Sequence, residues 1–260
     1  MPALAGGQGR ASSDLSGPER GPPARPSLLP GLPGLGRCRS VSRHPTSQRI
    51  PLVLHGDLLD PFSWIAERRI VIAAEELHGL FKPLSHAALP RRWDPLAPTA
   101  AERRAHQREL RRAASEPDAP RFAQAPWGEV GPLHSAPALL AVAAARLQGA
   151  HMAGLLWESL RQAALGFGLD VSRRDVIVEV AARTGLDLAR FVRAFEAPAT
   201  ERALLDDVQA AYDLGVEAGP ALVVDDTWLV TGVRSLADYR TLLKRYLSRR
   251  HGQPAEHTVH

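Results

Sequence analysis

A single cysteine, Cys38, stands among 260 residues, so no intrachain disulfide can form and no dithiol can cycle within one chain. Lysine is nearly absent: Lys82 and Lys244 apart, every Lys/Arg position is Arg. No apolar run approaches the roughly 18 residues a membrane-spanning helix needs, so no membrane partner is expected. There is no phosphate loop, dinucleotide fingerprint or metalloprotease motif. His251, His257 and His260 lie in a short Gly/Pro/Glu-containing tail without cysteine, and no metal site is expected there.

What is present is an ordinary globular composition, 45% hydrophobic and 23% charged, long enough to bury a core. The net charge of +4 comes from one end. Residues 1–48 hold six Arg against Asp14 and Glu19, so the remainder carries 26 residues of each sign. A nucleic-acid-binding face needs excess positive charge on the folded part, and none is expected here. The five Arg between Ala100 and Arg112 read as a solvated helix. Residues 1–48 are rich in Gly, Pro, Ser and Arg without helical or strand period. They read as a disordered leader, or as sequence upstream of a later start. The short, Pro-broken Leu28–Pro33 segment is no signal-peptide core, and the expected location is cytoplasmic.

The elements then follow in order. Ile50 to His55 is a buried-strand pattern. Asp60 suits an N-cap and Pro61 the first helical position, with Gly79 closing that helix. A second strand is expected within Phe81 to Leu89. Ser135 is expected to cap a helix running to Gly149, and His151 to Phe167 is helical. Ser172 with Asp175 reads as a capping box for a helix ended by Gly185. Asp187 starts a short helix, and Thr200 caps one that ends at Gly215. Ala221 to Val224 and Trp228 to Thr231 form a hairpin around Asp225-Asp226, and Ser235 with Asp238 opens a last helix. This order predicts an α/β chain with a thioredoxin-like fold and an inserted all-helical subdomain. The thioredoxin-like domain takes residues 49–90 and 216–250, the helical subdomain 133–215, an irregular insertion 91–132 and a flexible tail 251–260.

Two stretches carry a family resemblance. Asp60-Pro61-Phe62-Ser63-Trp64-Ile65 resembles the first-helix motif of the DsbA-like branch of the thioredoxin superfamily. That motif is Cys-Pro-Trp-Cys-Tyr-Ile-Gly in FrnE-type oxidoreductases. In kappa-class glutathione transferases and 2-hydroxychromene-2-carboxylate isomerases it is Ser-Pro-Tyr-Ser-Trp-Leu. Gly215-Val216-Glu217-Ala218-Gly219-Pro220 resembles the branch's Gly-Val-x-Gly-x-Pro, whose proline is cis. The resemblance implies a site at the first-helix start beside Gly219 and Pro220, with thiol–disulfide exchange as the nominal activity. Here Asp60 and Ser63 replace the redox pair, which excludes that exchange at this site.

Asp60 and Ser63 are the candidate catalytic residues; Asp60 alternatively serves only as an N-cap and Ser63 only as a backbone partner. Phe62, Trp64, His134, Gly219, Pro220 and Arg234 are candidate ligand contacts. No cofactor is expected beyond glutathione or another low-molecular-weight thiol, and a carboxylate at position 60 would oppose its thiolate. The leading expectation is a ligand cleft for a thiol, peptide or small carboxylate without disulfide exchange. The alternatives are isomerase or transferase chemistry through Ser63, and a structural paralogue with no ligand.

Overall fold

The computed structural model describes residues 49–90, 99–123 and 134–250. The expected leader and tail, Cys38 and the three tail histidines lie outside the described residues. Within these, a four-stranded sheet runs in the order β2-β1-β3-β4. Strand β1 (Leu52–Gly56) pairs in parallel with β2 (Ser85–Ala88) across helix α1 (Pro61–Glu75). On its other edge β1 pairs antiparallel with β3 (Ala221–Val224), which pairs antiparallel with β4 (Trp228–Thr231).

Strand periodicity sorts the core. Leu52, Leu54, Leu222 and Val224 point to one face, where they meet Ala66, Ile70 and Ala73 of α1. Tyr239 and Leu243 of α8 (Leu236–Arg250) complete that cluster. Ala221 and Val223 point to the other face and pack on Leu89 and on Val208 and Ala211 of α7 (Pro198–Asp213), with Val53 against them. Burial on both faces is why Ala221–Val224 reads as an unbroken apolar run. The tight β3–β4 turn uses Asp225 and Asp226, both in the left-handed region at φ 52° and 56°. Positive φ at both central residues is what a hairpin of this twist requires.

Between β2 and β3 lie α2 (Ala100–Ala114), α3 (Ala136–Arg146), α4 (Ala150–Arg161), α5 (Arg174–Arg183), α6 (Leu188–Phe195) and α7. Most of these surround a second core built on Leu139, Leu156, Trp157, Leu160 and Phe191. The helix expected through Phe167 ends in a π-helical turn, Gln162–Gly166, where the Phe167 N–H reaches Gln162 O at 3.0 Å. Charged α2 buries Leu110 against Trp64 and Leu165, so it is docked rather than merely solvated. No described helix is long and apolar enough to cross a membrane.

Three expected caps are corrected. Ser135 makes no cap bond; its hydroxyl donates to Asp57 Oδ2 at 2.7 Å. Ser172 donates to Asp170 Oδ1, and the helix it was expected to cap starts after Arg173. Thr200 lies inside α7, its hydroxyl donating to Ala194 O at 2.7 Å. Helix α1 also stops at Glu75, before Gly79, whose φ of 75° belongs to the turn that follows. Asp60, Asp187 and Ser235 cap as expected.

Sheet half and helical half are joined by a buried ion network. Glu67 of α1 accepts from His86 Nε2 of β2 at 2.7 Å and pairs with the Arg161 guanidinium of α4. Arg161 is buried, with its guanidinium carbon 5.4 Å from the Trp157 ring centroid, and His86 stacks on the same ring at 4.7 Å. Burial alone would push the Glu67 carboxyl upward, but Arg161 and His86 outweigh it and hold it at about 2. A carboxyl depressed from 4.5 to about 2 stabilises the fold fully above its unfolded value and loses that contribution as pH falls toward 2. Its size is about 3 kcal/mol. Replacing Glu67 by Ala leaves Arg161 as an uncompensated buried charge and is expected to cost about 3–5 kcal/mol. Urea unfolding of wild type and Glu67→Ala should show that difference near neutral pH and its narrowing below pH 4.5, the two curves converging as Glu67 protonates.

Candidate functional site

The chain leaves β1 through Asp57-Leu58-Leu59-Asp60 and enters α1 within one tight turn. Asp57 is buried and accepts from Leu59 N at 2.8 Å as well as from Ser135 Oγ, tying this turn to the start of α3. Asp60, 3% exposed, has extended backbone at φ −84° and ψ 113°. Its Oδ1 accepts from Phe62 N at 3.1 Å and its Oδ2 from Ser63 N at 3.1 Å. The Ser63 hydroxyl donates to the same Oδ2 at 2.6 Å. These backbone donors are among those a helix N-terminus leaves open, and a carboxylate there also meets the favourable end of the helix dipole.

Ser63 is 1% exposed and lies beneath β1. A Cβ placed on Gly56 would come within 2.6 Å of Ser63 Oγ, so glycine is what lets the strand cross the helix start this closely. Gly219 repeats the constraint: its Cβ would stand 3.0 Å from Gly56 Cα and 3.2 Å from His55 O. The Gly219–Pro220 peptide is cis. Three backbones therefore meet at the Asp60 cap, and two glycines permit it. His55, next to this crossing, is buried, and that burial pulls its pKa below the ordinary 6.5 against the opposing charge of Asp207.

A cleft of about 400 Å³ opens beside this junction. Asp60 and Phe62 from the start of α1 and Ala218, Gly219 and Pro220 from the segment before β3 line it. Leu89, Pro90, Glu109, Tyr212 and Glu217 complete the lining. Of the residues expected at a site, Asp60, Phe62, Gly219 and Pro220 converge on the cleft. Ser63, Trp64, His134 and Arg234 do not line it. Trp64 is buried against Phe122, ring centroids 5.7 Å apart, under the Arg161 guanidinium. Arg234 turns its guanidinium to Thr231 O at 3.2 Å, while its own carbonyl accepts from Arg69 at 2.9 Å. His134 immediately precedes Ser135 at the Asp57 contact. Glu109 and Tyr212 were not legible as site residues, because α2 and α7 reach the cleft only through long-range packing. Among the described residues, no cluster of three or more His, Cys, Asp or Glu could hold a metal ion.

Comparison with known proteins agrees with this architecture. The thioredoxin family model matches residues 118–239. A candidate protein disulfide isomerase from Nitrosomonas europaea superposes with a TM-score of 0.67 at 17% identity, over 79% of this chain and 100% of the other. The cytosolic disulfide reductase DsbM from Pseudomonas aeruginosa gives 0.57 at 20% identity, over 76% and 99%. A 2-hydroxychromene-2-carboxylate isomerase gives 0.53 at 15%, over 77% and 97%. No curated protein sequence matches the chain. The chain is a thioredoxin-fold protein with a helical insertion. The Nitrosomonas, DsbM and isomerase structures share that fold, and this chain carries a single cysteine.

Because two backbone N–H groups and one hydroxyl converge on Asp60, truncation to Ala should cost about 1–2 kcal/mol, the upper part of the range for a lost cap. Asp60→Ser, which restores a capping oxygen, should recover most of it. Thermal unfolding of the three proteins measures the order; equal stability of Ala and Ser variants would show that the cap is not what the carboxylate supplies.

Proposed function

We propose that this protein is a non-redox, ligand-binding member of the thioredoxin fold, with the cleft between Asp60 and Gly219–Pro220 as its binding site and a peptide as its ligand. The observation that carries the reading is the occupation of the helix start. Where a redox relative holds a thiolate, this chain holds a carboxylate bonded to Phe62 N, Ser63 N and Ser63 Oγ. Open space lies directly beyond it. The capped helix start holds no thiol, yet the cleft and the glycine next to the cis bond remain.

The same geometry ranks the other readings. Isomerase or transferase chemistry needs an accessible Ser63 hydroxyl, but that hydroxyl donates to Asp60 and is buried outside the cleft lining. DsbM has also been solved with glutathione. A glutathione thiolate here would face Asp60, and a negative group a few Å from a thiol raises its pKa. Glutathione's own carboxylates would meet Glu109 and Glu217 in the cleft wall. An uncharged stretch of peptide meets neither objection, since it brings no thiol and no carboxylate against these acidic residues.

The expected outcome in an insulin-reduction assay with dithiothreitol is a rate at background for the wild type and for Cys38→Ala alike. Catalysis that persists in Cys38→Ala would require a nucleophile outside this scheme and would overturn it. Engineering offers the reverse check. Asp60→Cys with Ser63→Cys should place a thiol at the helix N-terminus with a pKa below the free-cysteine value of about 8.5. Thiolate absorbance against pH reads it directly, and an unshifted thiol would argue against a helix starting at this residue.

A further inference from the structure

We propose that His55 is a protonation switch beneath the cleft: neutral, it lets α7 pack against the sheet, and as an imidazolium it loosens α7 and the cleft lining with it. The inference concerns how the cleft holds its shape, whatever the cleft binds.

Strand register places the ring. His55 pairs with Ala221 and Val53 with Val223, so the His55 side chain leaves β1 on the face that carries these three residues. That face packs on Leu89 and on Val208 and Ala211 of α7. His55 is 5% exposed, and its Nδ1 is buried without a hydrogen-bond partner. In the imidazolium both ring nitrogens are donors, so Nδ1 would carry its proton where no acceptor stands. Burying that unbonded donor together with a full charge is costly.

The charged groups nearby are already engaged. Asp207 of α7 is the charge His55 feels, and it is paired with Arg146 of α3, which also donates to His86 O at 3.0 Å. Asp57, two residues along β1, is turned to Leu59 N and Ser135 Oγ. Burial therefore outweighs Asp207 and lowers the His55 pKa from 6.5. A base with a folded pKa below its unfolded one leaves stability untouched above the unfolded value and weakens the fold as pH falls through it. An imidazolium here gains a countercharge by drawing Asp207 from Arg146, and that moves α7 against α3.

The cleft is built from the elements that meet this ring. Tyr212 follows Asp207 on α7. Leu89 N donates at 2.9 Å to the carbonyl of Gly56, the residue after His55. A Cβ on Gly219 would lie 3.2 Å from His55 O. Tyr212, Leu89 and Gly219 all line the cleft.

The test follows the full chain by NMR, without ligand, from about pH 7.5 to about pH 5, the range in which histidine changes charge. The His55 imidazole, assigned through bonds from its backbone, should titrate below 6.5. The amides of Leu89, Ala211 and Tyr212 should shift with the same midpoint. Their hydrogen exchange, corrected for the intrinsic rate, should quicken at least about threefold at the acid end. Amides of Tyr239 and Leu243 in α8, packed on the opposite face of the sheet, should show no such step. His55→Gln should abolish the step, and Asp207→Asn should move it to lower pH, because Asp207 is what favours the proton. A His55 midpoint at or above 6.5 would overturn the proposal, as would a titration that leaves α7 and Leu89 unmoved or a midpoint unchanged by Asp207→Asn. Should His55→Gln fail to fold, the wild-type midpoints decide alone. No ligand enters the experiment, so its failure leaves the reading of the cleft as a binding site intact.

Discussion

The carboxylate of Asp60 takes donors from Phe62 N, Ser63 N and the Ser63 hydroxyl, and most of the site follows from that one cluster. It fixes where α1 begins, and it holds Ser63 turned inward beneath Gly56. It leaves the ring of Phe62 facing the cleft. The close approach of β1, α1 and the segment before β3 is possible because Gly56 and Gly219 carry no Cβ at the points of contact. Any side chain at either position would have to displace backbone or the serine, so the cap and the two glycines form one steric unit.

Around this unit the helical insertion is held by charge as well as by its apolar core. Glu67, one turn beyond Ser63, binds Arg161 of α4 and His86 of β2. Arg69 then reaches Asp118 at 2.8 Å and Glu116 at 2.7 Å in the segment after α2, and the carbonyl of Arg234. The site helix is therefore gripped from both sides by side chains two residues apart. Because α2 carries Arg112, the Arg69 clamp also bears on how that guanidinium sits over Phe62.

Much of the fold was legible because it depends on local chemistry. The β3 and β4 runs, the Asp-Asp turn between them, and the caps at Asp60, Asp187 and Ser235 each follow from residue type and spacing. The failures have a common cause. Ser135, Ser172 and Thr200 are small hydroxyl residues near helix starts, and each found a competing acceptor: Asp57, Asp170 and the Ala194 carbonyl. A hydroxyl that can bond in several directions does not identify a cap. The site was legible in the same partial sense. The helix-start motif and Gly219-Pro220 placed the cleft, but its side walls come from α2 and α7, whose positions are set by contacts distant in sequence. Arg234 was expected as a ligand contact, and its side chain instead turns back to the carbonyl of Thr231.

The carboxylate that caps α1 also sets the electrostatics of the helix start. An open helix N-terminus presents unpaired N–H groups and about half a positive charge, a combination that draws thiolates, phosphates and carboxylates. A cysteine at that position uses the field to stabilise its own anion. Asp60 satisfies two of those N–H groups with its own carboxylate. Glu109 and Glu217 are the other acidic residues among the described lining of the cleft, and Arg112 lies over Phe62 beside them. With N–H groups satisfied from within the chain, this helix start has less to offer an incoming thiolate, phosphate or carboxylate than an uncapped one.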